Sequence, residues 1–408
     1  MRIAITNGHV VPGDGPTLPA ADVLVKDGAI VAVGPGAGAD AEVDEVIDAT
    51  GLVVVPGFVD GHRHVAQAPL RGTGADLTLP DYLESVLGRI LPSYRPEDAQ
   101  LATLLGALEA LDAGVTTVLD WSNTTYTAEH TDAVVAGFTA SGIRAVVGHT
   151  VPDHEADVRR LAARTGLVTG ALAVLGPDYG PWEQAVHDIE FARELGVPIT
   201  IHAGGGGVDP VVPRMHAAGL LGPDLVLVHL NHATPQDVQL LVAAQVGVVV
   251  TPCVESMMGH GRAPYGRFTD AGGHVVLGAD VVVNAMPDLF EPMRQILRDE
   301  RVRTGRMVPA GSLLPSVTTD AARTLGLAHR IGSITPGKRA DLLLIDGLGH
   351  LTDPDRVAGA VVTSTGPEQV RTVLVDGRVV KRDGRLVGHD LDAVRAAATA
   401  LATRVRAA

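Results

Sequence analysis

Short runs of unbroken hydrophobicity, most of them ending on a polar or titratable residue, constrain this chain more than any other feature. They read PGFVDGH, GVTTVLDW, IRAVVGHT, ALAVLGPD, VPITIHAG, LVLVHLNH, VGVVVTP and HVVLGAD, and helical stretches such as PEDAQLATLLGALEALDAG and TPQDVQLLVAAQ separate most of them. Continuous rather than alternating hydrophobicity implies strands covered on both faces, as in parallel α/β sheets. Eight such strands are the count of a (β/α)8 barrel of the TIM type. An open doubly wound sheet is the rival, but no G-x-G-x-x-G follows an early strand to support it.

The two ends have a different rhythm. RIAITNGHVV and ADVLVKDGAIVAVG near the start, and GKRADLLLIDG and VRTVLVDGRVVKRDGRLVG near the finish, are short β-like runs punctuated by turns. The expected organisation is a small β-sandwich domain from residues 1–55 and 338–390 around a barrel of residues 56–337. An alanine-rich surface helix, 391–408, follows. With 46% hydrophobic residues in 408, a large core is available and disorder is expected at most at the ends.

A formal net charge of −15 argues against nucleic-acid or anionic-membrane partners, which need clustered lysine and arginine. A small-molecule partner is expected, with homo-oligomerisation left open. The lone Cys253 excludes an intramolecular disulfide and a cysteine-based zinc cluster. The start, MRIAITNGHVVPGDG, has no basic segment followed by a long apolar stretch, and no run approaches transmembrane length. A cytoplasmic protein is the expectation.

Chemistry in such a barrel belongs at the C-terminal ends of the strands. Those ends carry His62 and His64, Asp120, His149, Asp178, His202, His229, Glu255 and Asp280. Burying so many imidazoles and carboxylates without partners is costly, and a shared metal would relieve that cost. His62 and His64, two apart on an extended segment, point the same way and can reach one ion.

VVPGFVDGHRHVAQAPLRG, VPITIHAG, LVLVHLNH, VVLGAD and TTDAARTLGLAHRIGSITPGKRADLLLID together resemble the amidohydrolase superfamily, over nearly the whole chain. The branch most similar is that of cytosine-deaminase-like and triazine-hydrolase-like enzymes. The resemblance implies a metal-bearing barrel that activates water for attack on a C–N or C–heteroatom bond of a small, cyclic substrate. It implies His62, His64, His202 and Asp280 as metal ligands, Asp280 also as the group taking a proton from the water. His229 is implied as the residue that orients and polarises that water or the substrate. Three imidazoles and a carboxylate suit zinc first, with iron(II) as the other option. Binuclear members usually bridge their metals with a carboxylated lysine, whereas here no lysine stands between Lys26 and Lys338. One divalent transition metal is therefore expected, unless Glu255 or another carboxylate takes the bridging role.

The chain departs from the branch at one position. The deaminases carry glutamate three residues after the strand-five histidine, and here His202-Ala203-Gly204 is followed by Gly205. Glu255 is the candidate replacement, if it faces the pocket rather than solvent. For substrate binding the candidates are Gln67, Trp121, His260 and Asn284, each with a plain packing or surface role as its alternative. The glycine run lacks the Lys-Ser/Thr of a phosphate loop, so tight backbone packing is the simpler use. A metal-assisted ring-opening or elimination enzyme and a non-catalytic metabolite-binding protein on the same scaffold are the alternatives to a hydrolase.

Overall fold

The computed structural model describes residues 1–39, 41–151, 154–204 and 210–407. Eight strands lie side by side in chain order: β1 (Phe58–Arg63), β2 (Val115–Ser122), β3 (Arg144–His149), β4 (Val168–Val174), β5 (Ile199–Ala203), β6 (Leu225–His229), β7 (Gly247–Val250) and β8 (Val275–Leu277). Successive pairs from β3 to β8 are parallel, and the register sets His202 opposite Val228 and Ala203 opposite His229. Nearly every residue of these strands is buried, which is why they read as continuous apolar runs.

The barrel closes beside the residues of interest. Arg63 bridges to Asp280 in parallel sense, with Asp280 N–H donating to the His62 carbonyl (2.9 Å) and His64 N–H to the Asp280 carbonyl (3.2 Å). Glycine at 278 permits this approach, since a Cβ there would lie 2.7 Å from the His62 carbonyl oxygen. The connecting helix Pro235–Ala243 begins where TPQD predicts: Thr234 and Asp237 form a reciprocal capping box.

The chain divides into two compact units, Met1–Asp60 with Glu109–Thr117 and Asp288–His389, and Gly61–Leu108 with Val118–Pro287 and Asp390–Ala408. The first holds a nine-stranded sheet made by both chain ends, eight strands along one hydrogen-bonded path and the ninth, Glu45–Asp48, paired with Arg2–Val10 off that path. Its join is antiparallel pairing of Val53–Pro56 with Leu342–Ile345. Asp27-Gly28, both at positive φ (51° and 80°), makes the tight hairpin that an Asp-Gly pair signals. Ile3, Ile5, Val23, Val25, Leu342 and Leu344 supply its core.

In the second unit the last helix, Leu391–Ala407, is less of a surface element than its composition suggests. Leu401 and Val405 pack with Ala66, Tyr82 and Val86, while Ala398 packs with Ala68 and Leu105. Among the described residues no helix is long and apolar enough to cross a membrane.

Candidate metal centre and active site

The alternation of an extended strand turns His62 and His64 inward and Arg63 away, where its guanidinium donates to the Pro287 carbonyl (2.7 Å). Around His62 the other donors gather. His202 Nε2 lies 3.2 Å from His62 Nε2, and Asp280 Oδ1 lies 3.5 Å from His62 Nε2 and 3.4 Å from His64 Nε2. Ligands held at 2.0–2.1 Å in tetrahedral geometry are separated by about 3.3 Å, so these spacings match the edges of one coordination shell.

The protonation states fit as well. Burial, reinforced by the neighbouring His62, pushes His64 down to about 4, and burial with three nearby imidazoles holds His202 well below its ordinary value. Both are neutral near pH 7 and offer lone pairs. Burial pushes Asp280 upward, but the hydrogen bond and charge of His62 outweigh it, and the carboxyl stays well below the usual range. His64 Nδ1–H donates to Asn123 Oδ1 (2.5 Å), which leaves Nε2 for the ion. This donor set is built for a divalent metal.

A fourth imidazole stands beside these four donors. His229 is stacked with His202, centroids 5.3 Å apart, and its Nδ1–H donates to Glu255 Oε1 (3.1 Å). Burial pushes His229 down, but the Glu255 hydrogen bond and the charges of Asp280 and Glu255 reverse the sign, leaving it raised. Glu255, fully buried, also accepts from Asn231 Nδ2 (3.1 Å) and from Thr251 N–H (2.8 Å). The Thr251 hydroxyl donates to Asp280 Oδ2 (3.0 Å). His229 and Asp280 both adopt left-handed backbone, φ 79° and 60°, a conformation costing non-glycine residues about 1–3 kcal/mol. The barrel-closing hydrogen bonds hold Asp280 there, and strain of this kind clusters at functional sites.

Above the donors lies a cavity of about 350 Å³ whose polar and aromatic lining includes His64, Trp121, Asn123, His202, His229, His260 and Asp280. Leu79, Tyr82, Leu83, Leu87, Val254 and Met258 are among the remaining lining residues. Trp121 and His260, two of the substrate-binding candidates from the sequence, are both among the lining residues, with the Trp121 ring centroid 3.8 Å from that of His202. Gln67 and Asn284 are not among the lining residues. Gln67 is buried behind His64, donating to Tyr82 Oη (2.6 Å) and Asn123 Oδ1 (3.4 Å), so it braces the donor set. Glu255 does not line the cavity either; it sits behind His229.

Gly204, first of the glycine run, has φ 80°, and a Cβ there would stand 2.6 Å from Leu230 Cα, so tight packing requires it. Its N–H donates to Asp178 Oδ2 (2.6 Å). Gly205 lies outside the described residues. Thr251, Asn123 and Asn231 were not anticipated. Thr251 had a signal, since it follows the apolar run of β7 as the other site residues follow theirs; the two asparagines had none.

A parallel barrel that collects three histidines and an aspartate at the mouth of a cavity defines a metal-dependent hydrolase. Comparison with known proteins agrees. Residues 53–380 match the amidohydrolase family. The chain is 31% identical to the 5-methylthioadenosine/S-adenosylhomocysteine deaminase of Desulforudis audaxviator, over 99% of each chain. It is 29% identical to the 5'-deoxyadenosine deaminase of Methanosarcina acetivorans, again over 99% of each. Among solved structures it is similar to a zinc-bound adenosine deaminase from Xanthomonas campestris, with TM-score 0.88, 25% identity and coverage of 100% and 99%. Its fold is also that of the atrazine chlorohydrolase of Arthrobacter aurescens (TM-score 0.84, 22% identity, coverage of 98% and 100%). The chain belongs to the amidohydrolase family. It is a metal-dependent hydrolase that acts on C–N bonds other than peptide bonds.

Proposed function

We propose that this protein removes an amino group hydrolytically from a nitrogen-containing ring, with zinc held by His62, His64, His202 and Asp280. The convergence of His202 Nε2 and Asp280 Oδ1 on His62 Nε2, at 3.2 and 3.5 Å, carries this reading. Bound there, the ion supplies Lewis-acid activation, lowering a water's pKa to about 7 so that hydroxide is available at neutral pH. Asp280, kept ionised and tethered through Oδ2 to Thr251, accepts the proton of the attacking water. His229, fixed by Glu255, presents its remaining nitrogen to the water or ring and orients the attack. Trp121 supplies a flat face for the ring.

The water oxygen bonds to the ring carbon, and the bond from that carbon to the amine breaks. The amine leaves as ammonia with the proton that Asp280 received, and the second water proton ends on the ring nitrogen. In the sequence, Gly205 stands three residues after His202, where the resembled deaminases carry the glutamate that serves this transfer, so Asp280 and His229 carry it here. The kinship with adenosine-type deaminases supports a ring of that kind. Elemental analysis should find roughly one zinc per folded chain, and incubation with aminopurines and aminotriazines should release ammonia. A folded, metal-loaded protein that releases none from either ring class would overturn the reading.

A further inference from the structure

The cavity's lining holds both an apolar and a polar set of residues, and the two ask for different chemistry. Leu79, Leu83 and Leu87, each four residues from the next, share one face of the helical segment that walls it, and Val254 and Met258 extend that apolar wall. From Leu83 to Ile90 this segment is wound as a π-helix, an uncommon form that is frequent at functional sites. Where the cavity opens, Leu83, Leu175 and Tyr179 are 43%, 60% and 45% exposed, large apolar side chains left in water at the mouth. Apolar surface exposed in a concave place marks a binding site. Among the polar lining residues, His260 Nε2 is buried with no hydrogen-bond partner among the described residues, available to a polar ring edge.

Volume and charge narrow the ligand further. A cavity of about 150 Å³ is enough to hold a benzene ring, so about 350 Å³ leaves room for a substituent beyond the reacting ring. No lysine or arginine is among the described residues lining it, and Asp280 is the carboxylate there. A carboxylate or phosphate drawn against the leucine wall would lose its water without gaining a partner.

Building on the deaminase reading above, we propose that the substrate is an uncharged aminated heterocycle bearing an apolar arm. The ring lies between Trp121 and His260 over the metal ligands, and the arm runs along Leu79, Leu83 and Leu87 towards Leu175. Anionic and strongly hydroxylated arms are rejected by the same wall.

The test uses adenine, adenine carrying an n-butyl arm on its imidazole nitrogen, the matching carboxypropyl compound and adenosine, with the same alkyl and carboxyalkyl arms on aminotriazine. Ammonia release by the zinc-loaded enzyme is measured as kcat/KM, and binding of each compound is followed separately by tryptophan fluorescence. Since even one methylene in an apolar pocket changes selectivity by about 10- to 200-fold, the butyl compound should exceed the bare ring and the carboxypropyl compound at least tenfold in both readouts. Leu83→Asn, at a half-exposed position that the fold tolerates, should shrink that margin. Equal or better performance by the carboxypropyl compound or adenosine overturns the inference, as does failure of every compound to bind. Selective binding of the butyl compounds without ammonia release would instead leave the arm assignment standing and defeat the deaminase reading.

Discussion

Two clusters of buried histidine and carboxylate stand at the strand ends of this barrel, and they are built differently. At β3, His149 Nε2 is 3.0 Å from Asp157 Oδ2, which also accepts from Thr131 Oγ1 (2.6 Å), while Asp157 Oδ1 is held by Arg160. Val151 N–H donates to His149 Nδ1 (3.2 Å), so both ring nitrogens have protein partners. Around His62, by contrast, nitrogen faces nitrogen at 3.2 Å and two more donors crowd the same volume. Imidazole nitrogens and a carboxylate oxygen converging on one point make a donor set that a single cation satisfies. Burial of a histidine therefore says little about function; what matters is whether its neighbours complement it or compete with it for the same missing partner.

The largest expected effect is on the crowded cluster. His62→Ala, which removes the nitrogen shared by both donor groupings, should drop zinc content from roughly one per chain to near background and abolish ammonia release. Zinc retained at full occupancy would dissociate His62 from the centre. Asp280→Asn should cut kcat by about 10²- to 10⁴-fold while the fold survives, as steady-state kinetics on the metal-saturated variant would read.

Glu255→Gln comes next, with a loss of about 10- to 100-fold in activity or metal affinity, the range for partners that orient metal-site residues. A variant at wild-type rate would make Glu255 a packing residue. At β3 the consequences should be confined to stability. Thr131→Val leaves a buried carboxylate oxygen short of one donor and should cost about 1–3 kcal/mol in urea unfolding, with zinc content and kcat unchanged.

Acid should also separate the two states of the metal centre. His64 is held at about 4 in the folded protein, against about 6.5 in an unfolded chain. Between those values the unfolded chain binds a proton that the folded one refuses, so stability is lost as pH falls through that window. Urea midpoints of the metal-free protein should decline from about pH 6.5 towards 4, and His64→Asn should flatten the decline. Zinc should dissociate over the same range, because protons and metal compete for the same lone pairs.

Much of this site was legible because strand periodicity and metal chemistry are both local rules. His62 and His64 share a face through the two-residue repeat of a strand, and His202, His229 and Asp280 each follow an apolar run that a parallel sheet demands. Gln67 and Glu255 show where that legibility stops. Both were expected to act at the site, yet neither is among the residues lining the cavity: Gln67 braces Asn123 and Tyr82, and Glu255 braces His229. Whether a polar side chain meets the substrate or the back of another residue depends on which elements stand between them, and that is a property of packing. Asn123, a partner of His64 from 59 positions away, is the same lesson in reverse.

By itself the sequence determined the barrel and the sheet made from both chain ends, since hydrophobic periodicity is written position by position. Only the tertiary structure decided the rest. Closing β8 against β1 forces Asp280 into a strained conformation beside His62, and the leucines of 79–87 face the cavity because that segment is packed across the barrel mouth. Such contacts join residues distant in the chain, and their distances are set by the packing of the whole barrel.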